Sequence, residues 1–118
     1  MELTTLAAVL GMAAPDSAVS LELVLRLSGD AERRVVTYQC EGVEQPFPVT
    51  YINAEPNFLA IMSVEGKEVI LVTVVSADGA RYVSGPIEWW THGSEATFAD
   101  TRDSSLAPVT CSELSLTP

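Results

Sequence analysis

From residue 20 onward the apolar positions recur with a period of two rather than 3.6, the mark of strands covered on one face. Leu21, Leu23, Leu25 and Leu27 alternate with Glu22, Val24 and Arg26, and Ser28-Gly29-Asp30 ends that run as a turn. Arg34, Val36, Tyr38 and Cys40 share one face of a second strand. Pro46 and Pro48 punctuate the approach to a third at residues 49–53. Two apolar runs follow at 58–63 and 68–76, separated by Glu65-Gly66-Lys67. The second contains Val69-Ile70-Leu71-Val72-Thr73-Val74-Val75, nearly continuous and β-branched, and reads as the most buried strand of the protein.

Shorter runs at 81–84, 87–91, 96–99 and 109–112 complete the series. Asp78-Gly79 predicts a hairpin, because both residue types tolerate positive φ. Gly85-Pro86 and His92-Gly93 mark further turns, and the polar stretch 100–108 is the expected flexible loop. Eight or nine short strands at even spacing predict an all-β chain, an antiparallel barrel or sandwich. No linker, repeat or low-complexity stretch divides it. With 118 residues it forms one ordinary domain, too small to enclose a large ligand cavity.

Composition narrows the function classes. Sixteen acidic against six basic residues give a net charge of −10, which repels nucleic acid and anionic membrane and draws a cationic partner. Acidity alone serves solubility just as well. Basic residues interleaved with aromatics, a phosphate-cradling glycine loop and HExxH are all missing. His92 is the sole histidine and no serine sits on a strand-turn-helix elbow, so no nucleophile-base pair suggests itself. Among sixteen acids some carboxylate pair is certain by chance, so such a pair carries no signal. The expectation is a protein that is not an enzyme and holds no cofactor.

Cys40 and Cys111 leave two readings open: a pair of buried reduced thiols, or a disulfide tying mid-chain to C-terminus in an oxidising compartment. A metal site is not expected, since only His92 could join them as a soft ligand and structural zinc needs four. Residues 3–14 are apolar and rich in small side chains, as in a signal-peptide core, but no Lys or Arg precedes them and the run is too short to span a bilayer. Residues 1–19 are therefore expected to be an N-terminal extension, a short helix or strand of the mature protein. No membrane anchor is expected in this chain, and any export signal would lie outside it.

Three segments resemble the family of c-type lysozyme inhibitors known as MliC and PliC. Tyr38-Gln39-Cys40, followed by Pro48-Val49-Thr50-Tyr51, matches the family's Tyr-x-Cys region. Ser76-Ala77-Asp78-Gly79-Ala80-Arg81-Tyr82 matches its Ser-Gly-Ala-Arg-Tyr motif with the first residue changed to Asp78. Trp90-Thr91-His92-Gly93-Ser94-Glu95-Ala96 matches Trp-x-Lys-Gly-x-x-Ala with the lysine changed to His92. Cys111 stands where the family's C-terminal cysteine stands, and the likeness runs over about residues 35–114.

The resemblance implies an eight-stranded antiparallel β-barrel over residues 20–118, closed by a Cys40–Cys111 disulfide. It implies a periplasmic or secreted inhibitor, monomer or homodimer, whose barrel-end loops enter the cleft of a c-type lysozyme. The residues it assigns to lysozyme binding are Asp78, Gly79, Arg81, Tyr82, Thr91, His92 and Gly93. Lysozymes of this type are basic, which gives the acidic charge a use in steering encounter. The two changed positions are those that approach the enzyme's catalytic carboxylates in the family. An aspartate there meets repulsion unless one partner is protonated, while a histidine or Arg81 can supply the missing cation. The bland alternatives are a turn aspartate and a solvated turn histidine. Arg81 and Tyr82 point to opposite faces of a strand, so at most one of them is expected to face the cleft; Trp89 and Trp90 alternate likewise, one expected to fill the barrel and the other to lie outside. The competing function is an envelope barrel that binds another ligand or plays a structural role.

Overall fold

The computed structural model describes residues 29–103 and 105–114, together with Glu22, Val24 and Arg26. Eight antiparallel strands follow one another around a closed barrel: β1 (Glu32–Cys40), β2 (Phe47–Ala54), β3 (Asn57–Val64), β4 (Lys67–Val74), β5 (Ala80–Ser84), β6 (Ile87–His92), β7 (Glu95–Asp100) and β8 (Val109–Glu113). Each strand pairs with its sequence neighbours, and β1 closes on β8. Seven of the expected runs are β2–β8, and the Arg34–Cys40 face lies on β1. The alternating leucines 21–27 and the extension 1–19 lie outside the described residues, except for Glu22, Val24 and Arg26, which are exposed.

The period-two pattern is obeyed because a barrel has one dry face. Tyr38, Val49, Tyr51, Ala60, Met62, Leu71, Tyr82, Trp89, Ala96 and Cys111 point inward from successive strands and are buried. Eight strands enclose a space just wide enough for side chains to fill. Trp89, fully buried, is the largest filler; Tyr38 meets its ring edge-on at 5.0 Å and Phe47 tilts against it at 5.7 Å.

One expectation is overturned. The apolar run 69–75 is not the most buried strand: on β4 only Leu71 is fully buried, while Ile70 and Val72 are 53% and 47% exposed. A continuous apolar run implies two dry faces only where a second layer covers the sheet. Among the described residues nothing packs on the outside of this single-walled barrel, so alternate residues face water whatever their type.

The turns also differ in detail from the sequence reading. The tight two-residue turn with positive φ at both positions is Glu65-Gly66, between β3 and β4. Asp78-Gly79 instead ends a five-residue connection, 75–79, in which Gly79 alone has positive φ. The expected 100–108 loop connects β7 to β8 and is tied down by hydrogen bonds, from Thr101 N–H to the Pro86 carbonyl and from Arg102 to the Asp100 carboxylate.

Cys40 and Cys111 are directly opposed across the β1–β8 seam and form a disulfide. The seam pairs only Tyr38–Cys40 with Cys111–Glu113, so the crosslink sits on one of the two shortest ladders of the wall, the other being β4–β5. On the chain-entropy model, closing a loop of 71 residues stabilises the fold by about 4 kcal/mol.

Candidate functional site

Up-and-down connectivity sorts the connections between the two mouths. The turns after β2, β4 and β6 gather at one mouth, with the entry of β1 and the exit of β8. Asp78 and His92, far apart in sequence, therefore become neighbours: β5 and β6 pair with Ala80 opposite Thr91, and the residues just beyond meet. His92 Nε2 lies 3.4 Å from Asp78 Oδ1, and both side chains are largely exposed, 45% and 73%.

A run of contacts on the outer wall holds that pair. Arg81 points outward and binds Glu88 across the β5–β6 ladder through Nε, at 3.0 Å, and Nη2. Its guanidinium lies 5.8 Å from the centre of the Trp90 ring, a distance at which cation and ring attract. Trp90 in turn stacks against the His92 imidazole at 5.3 Å and donates its Nε1–H to the Asp78 carbonyl at 2.9 Å. The two positions that differ from the family motif thus rest on one indole, His92 by its ring and Asp78 by its backbone.

Gly79 lets the connection approach so closely. A Cβ there would lie 2.0 Å from the Thr91 carbonyl oxygen, and φ is +64°. No other residue type fits without moving the β5–β6 backbone.

The remaining expected site residues divide by face. Tyr82 and Thr91 point inward and line a cavity of about 100 Å3 at this mouth, with Gly93 on its rim. Arg81, Asp78 and His92 belong to the outer wall and the tip. Each of these pairs alternates across the wall as expected: Trp89 fills the barrel with Trp90 outside, and Tyr82 points inward while Arg81 lies on the outer wall. His92 ends β6 rather than starting the turn, which is Gly93-Ser94.

Sequence reasoning missed Glu88, the anchor of Arg81, because cross-strand register is not written in a local pattern. It also missed the cavity wall formed by Arg34, Tyr51, Asn53 and Glu113. Arg34 did carry a signal, as a cation on the same face as Val36, Tyr38 and Cys40. Inside the mouth, Tyr38 and Tyr51 share a 2.7 Å hydroxyl–hydroxyl bond, and Trp89 Nε1–H donates to the Tyr51 hydroxyl at 2.9 Å. Burial pushes the phenols of Tyr38, Tyr51 and Tyr82 above the ordinary range. Among the described residues no group of three or more His, Cys, Asp or Glu could hold a metal.

A filled eight-stranded barrel whose distinctive residues sit on turns at one mouth is a scaffold for presenting loops, not a container for a large ligand. Residues 38–106 match the family model described as "Membrane-bound lysozyme-inhibitor of c-type lysozyme", MliC, and the chain belongs to that family. It is 46% identical over 67 residues to the membrane-bound lysozyme inhibitor of C-type lysozyme of Cupriavidus necator, covering 57% of this chain and 53% of that protein. It is 42% identical over 76 residues to the Pseudomonas aeruginosa protein of the same name, covering 62% and 59%. The chain thus spans a little over half the length of these curated relatives. Its fold matches the crystal structure of Pseudomonas aeruginosa MliC in complex with hen egg white lysozyme. The TM-score is 0.69 and the identity 34%, over 82% of this chain and 98% of that one.

Proposed function

We propose that this chain is a proteinaceous inhibitor of c-type lysozyme that works by occlusion, and that residues 20–118 carry the activity. The observation that carries the reading is the meeting of Asp78 and His92 at one mouth of the barrel, exposed and backed by Trp90. Family membership supplies the target. The turn 75–79 and the turn Gly93-Ser94 enter the lysozyme cleft side by side.

With His92 protonated, the tip presents an ion pair, so the aspartate reaches two catalytic carboxylates with its charge already balanced. His92 uses Nε2 toward Asp78, which leaves Nδ1–H to donate to a lysozyme carboxylate. Gly79 and Gly93 keep the tip narrow, and Arg81, held by Glu88, fixes Trp90 behind it. The net charge of −10 draws a basic enzyme toward the chain. The task of this arrangement is to exclude peptidoglycan from the cleft. The disulfide and the membrane-bound relatives support a place in the cell envelope, in the periplasm or secreted.

A turbidity assay with hen lysozyme and whole bacterial cells tests the proposal. Added protein at micromolar concentration should stop clearing in proportion to its molar ratio to the enzyme. Full clearing at tenfold excess would refute it and leave a barrel with another ligand.

A further inference from the structure

The cavity inside this mouth is lined by three phenol hydroxyls, a guanidinium and an amide. Tyr38, Tyr51 and Tyr82 are the only tyrosines of the chain, and each brings one hydroxyl proton. The Tyr51 hydroxyl already accepts from Trp89 Nε1. Between Tyr38 and Tyr51 one proton makes the 2.7 Å bond, whichever oxygen donates. The other proton of that pair has no acceptor among the described residues. The Tyr82 hydroxyl has no partner among them either, although the residue is only 7% exposed. Buried hydroxyls are almost always paired, with protein groups or with water, so two spare donors at this open mouth are free to take an acceptor from outside the chain.

Arg34 adds charge to the same wall. Its guanidinium lies 5.8 Å from the centre of the Tyr51 ring and makes no ion pair with a carboxylate among the described residues. The Asn53 amide lies beside it, donating only a long 3.5 Å bond to Glu32. Glu113 is the single acidic residue of the lining. A cavity of about 100 Å3 admits a group of a few heavy atoms, given roughly 30 Å3 for a water in the liquid.

We infer that this mouth cavity is a carboxylate-binding subsite, in which Arg34 and the spare hydroxyls of the tyrosine cluster hold the two oxygens of one small carboxylate. A planar anion with paired acceptors matches a guanidinium beside two O–H groups. The carboxylate belongs either to a free small acid or to a side chain or C-terminus of a docked protein. The subsite does not depend on the lysozyme reading, because it is complete within this chain.

Acetate titrated into the isolated protein against chloride at matched ionic strength is the test, read by amide chemical shifts and tyrosine absorbance. A saturable response in the millimolar range is expected, centred on Arg34, Tyr38, Tyr51, Tyr82 and Gly93. Arg34→Gln should weaken acetate binding about tenfold, the loss of one charge-assisted contact. Tyr82→Phe, which keeps the ring and so the packing, should weaken it severalfold, and Glu113→Gln should strengthen it. A linear response, or one indifferent to Arg34→Gln and Tyr82→Phe, overturns the inference. Once acetate is shown to bind, the inhibition assay separates the sources. Weaker inhibition in acetate than in chloride for the wild type, but not for Arg34→Gln, assigns the subsite to a carboxylate of the docked enzyme. Equal inhibition assigns it to a free acid.

Discussion

Replacing Gly79 by alanine should cost far more than a turn glycine normally does, and the structure says how much more. The added Cβ would stand 2.0 Å from the Thr91 carbonyl oxygen, against the 3.0 Å below which Cβ atoms are essentially never found. The β5 and β6 backbones must therefore part by about 1 Å where Ala80 faces Thr91. That movement strains the ladder and pulls the Asp78 carbonyl away from Trp90 Nε1, each at about 1 kcal/mol. Positive φ adds roughly 1 kcal/mol for a residue with a side chain. The sum is about 3 kcal/mol. Gly66 supplies the control, since its φ is +81° and a Cβ there meets nothing within 4 Å, so Gly66→Ala should lose only about 1 kcal/mol. Urea unfolding of both variants measures the difference, and lysozyme inhibition should fall in Gly79→Ala alone. Equal stability of the two variants would refute the argument from close approach.

Three further outcomes follow from the same geometry. Asp78→Ser with His92→Lys, which restores the family motif, should tighten lysozyme inhibition about tenfold by placing a free ammonium against the catalytic carboxylates; weaker inhibition would mean that this chain docks by other contacts. Changing both Cys40 and Cys111 to alanine should lower unfolding free energy by about 4 kcal/mol, read by urea unfolding with the slope fitted for each form, since the uncrosslinked unfolded chain exposes more surface. Stability should also be full below pH 10 and fall above it. The folded state keeps Tyr38, Tyr51 and Tyr82 protonated by burial, beyond the ordinary value of 10.0 at which the unfolded chain loses those protons. Because no tyrosine lies elsewhere, the phenolate absorbance band reads this cluster alone, and it should appear only as near-ultraviolet dichroism is lost. Ordinary titration of all three with the fold intact would contradict their burial.

The strands were legible because a barrel wall has one dry side, and one dry side writes a period of two. Leu71 between exposed Ile70 and Val72 shows where that legibility ends. Periodicity reports which residues could be buried, but only a second layer decides whether both faces are. The tip was legible for a different reason: motif spacing put Asp78 and His92 at matching ends of paired strands. Their support was not. Glu88 beneath Arg81, and the Asp78 carbonyl on Trp90, depend on cross-strand register and on backbone atoms that have no letter in the sequence. The donor-rich mouth was hidden in the same way, since Arg34, Tyr51, Tyr82 and Glu113 come from four different strands.

The position of the disulfide bears on how the protein is made. Hairpins joined by two-residue turns, such as β3–β4 and β6–β7, form from local contacts. The β1–β8 seam must wait for chain segments 71 residues apart to meet. Closing the barrel places Cys40 opposite Cys111, so the fold itself favours their oxidation. With two cysteines in the chain there is a single intramolecular pairing and no wrong one to undo. Oxidation of this pair needs no reshuffling of partners, and the crosslink stays in place when the wall opens, so a reopened barrel keeps its seam strands tethered.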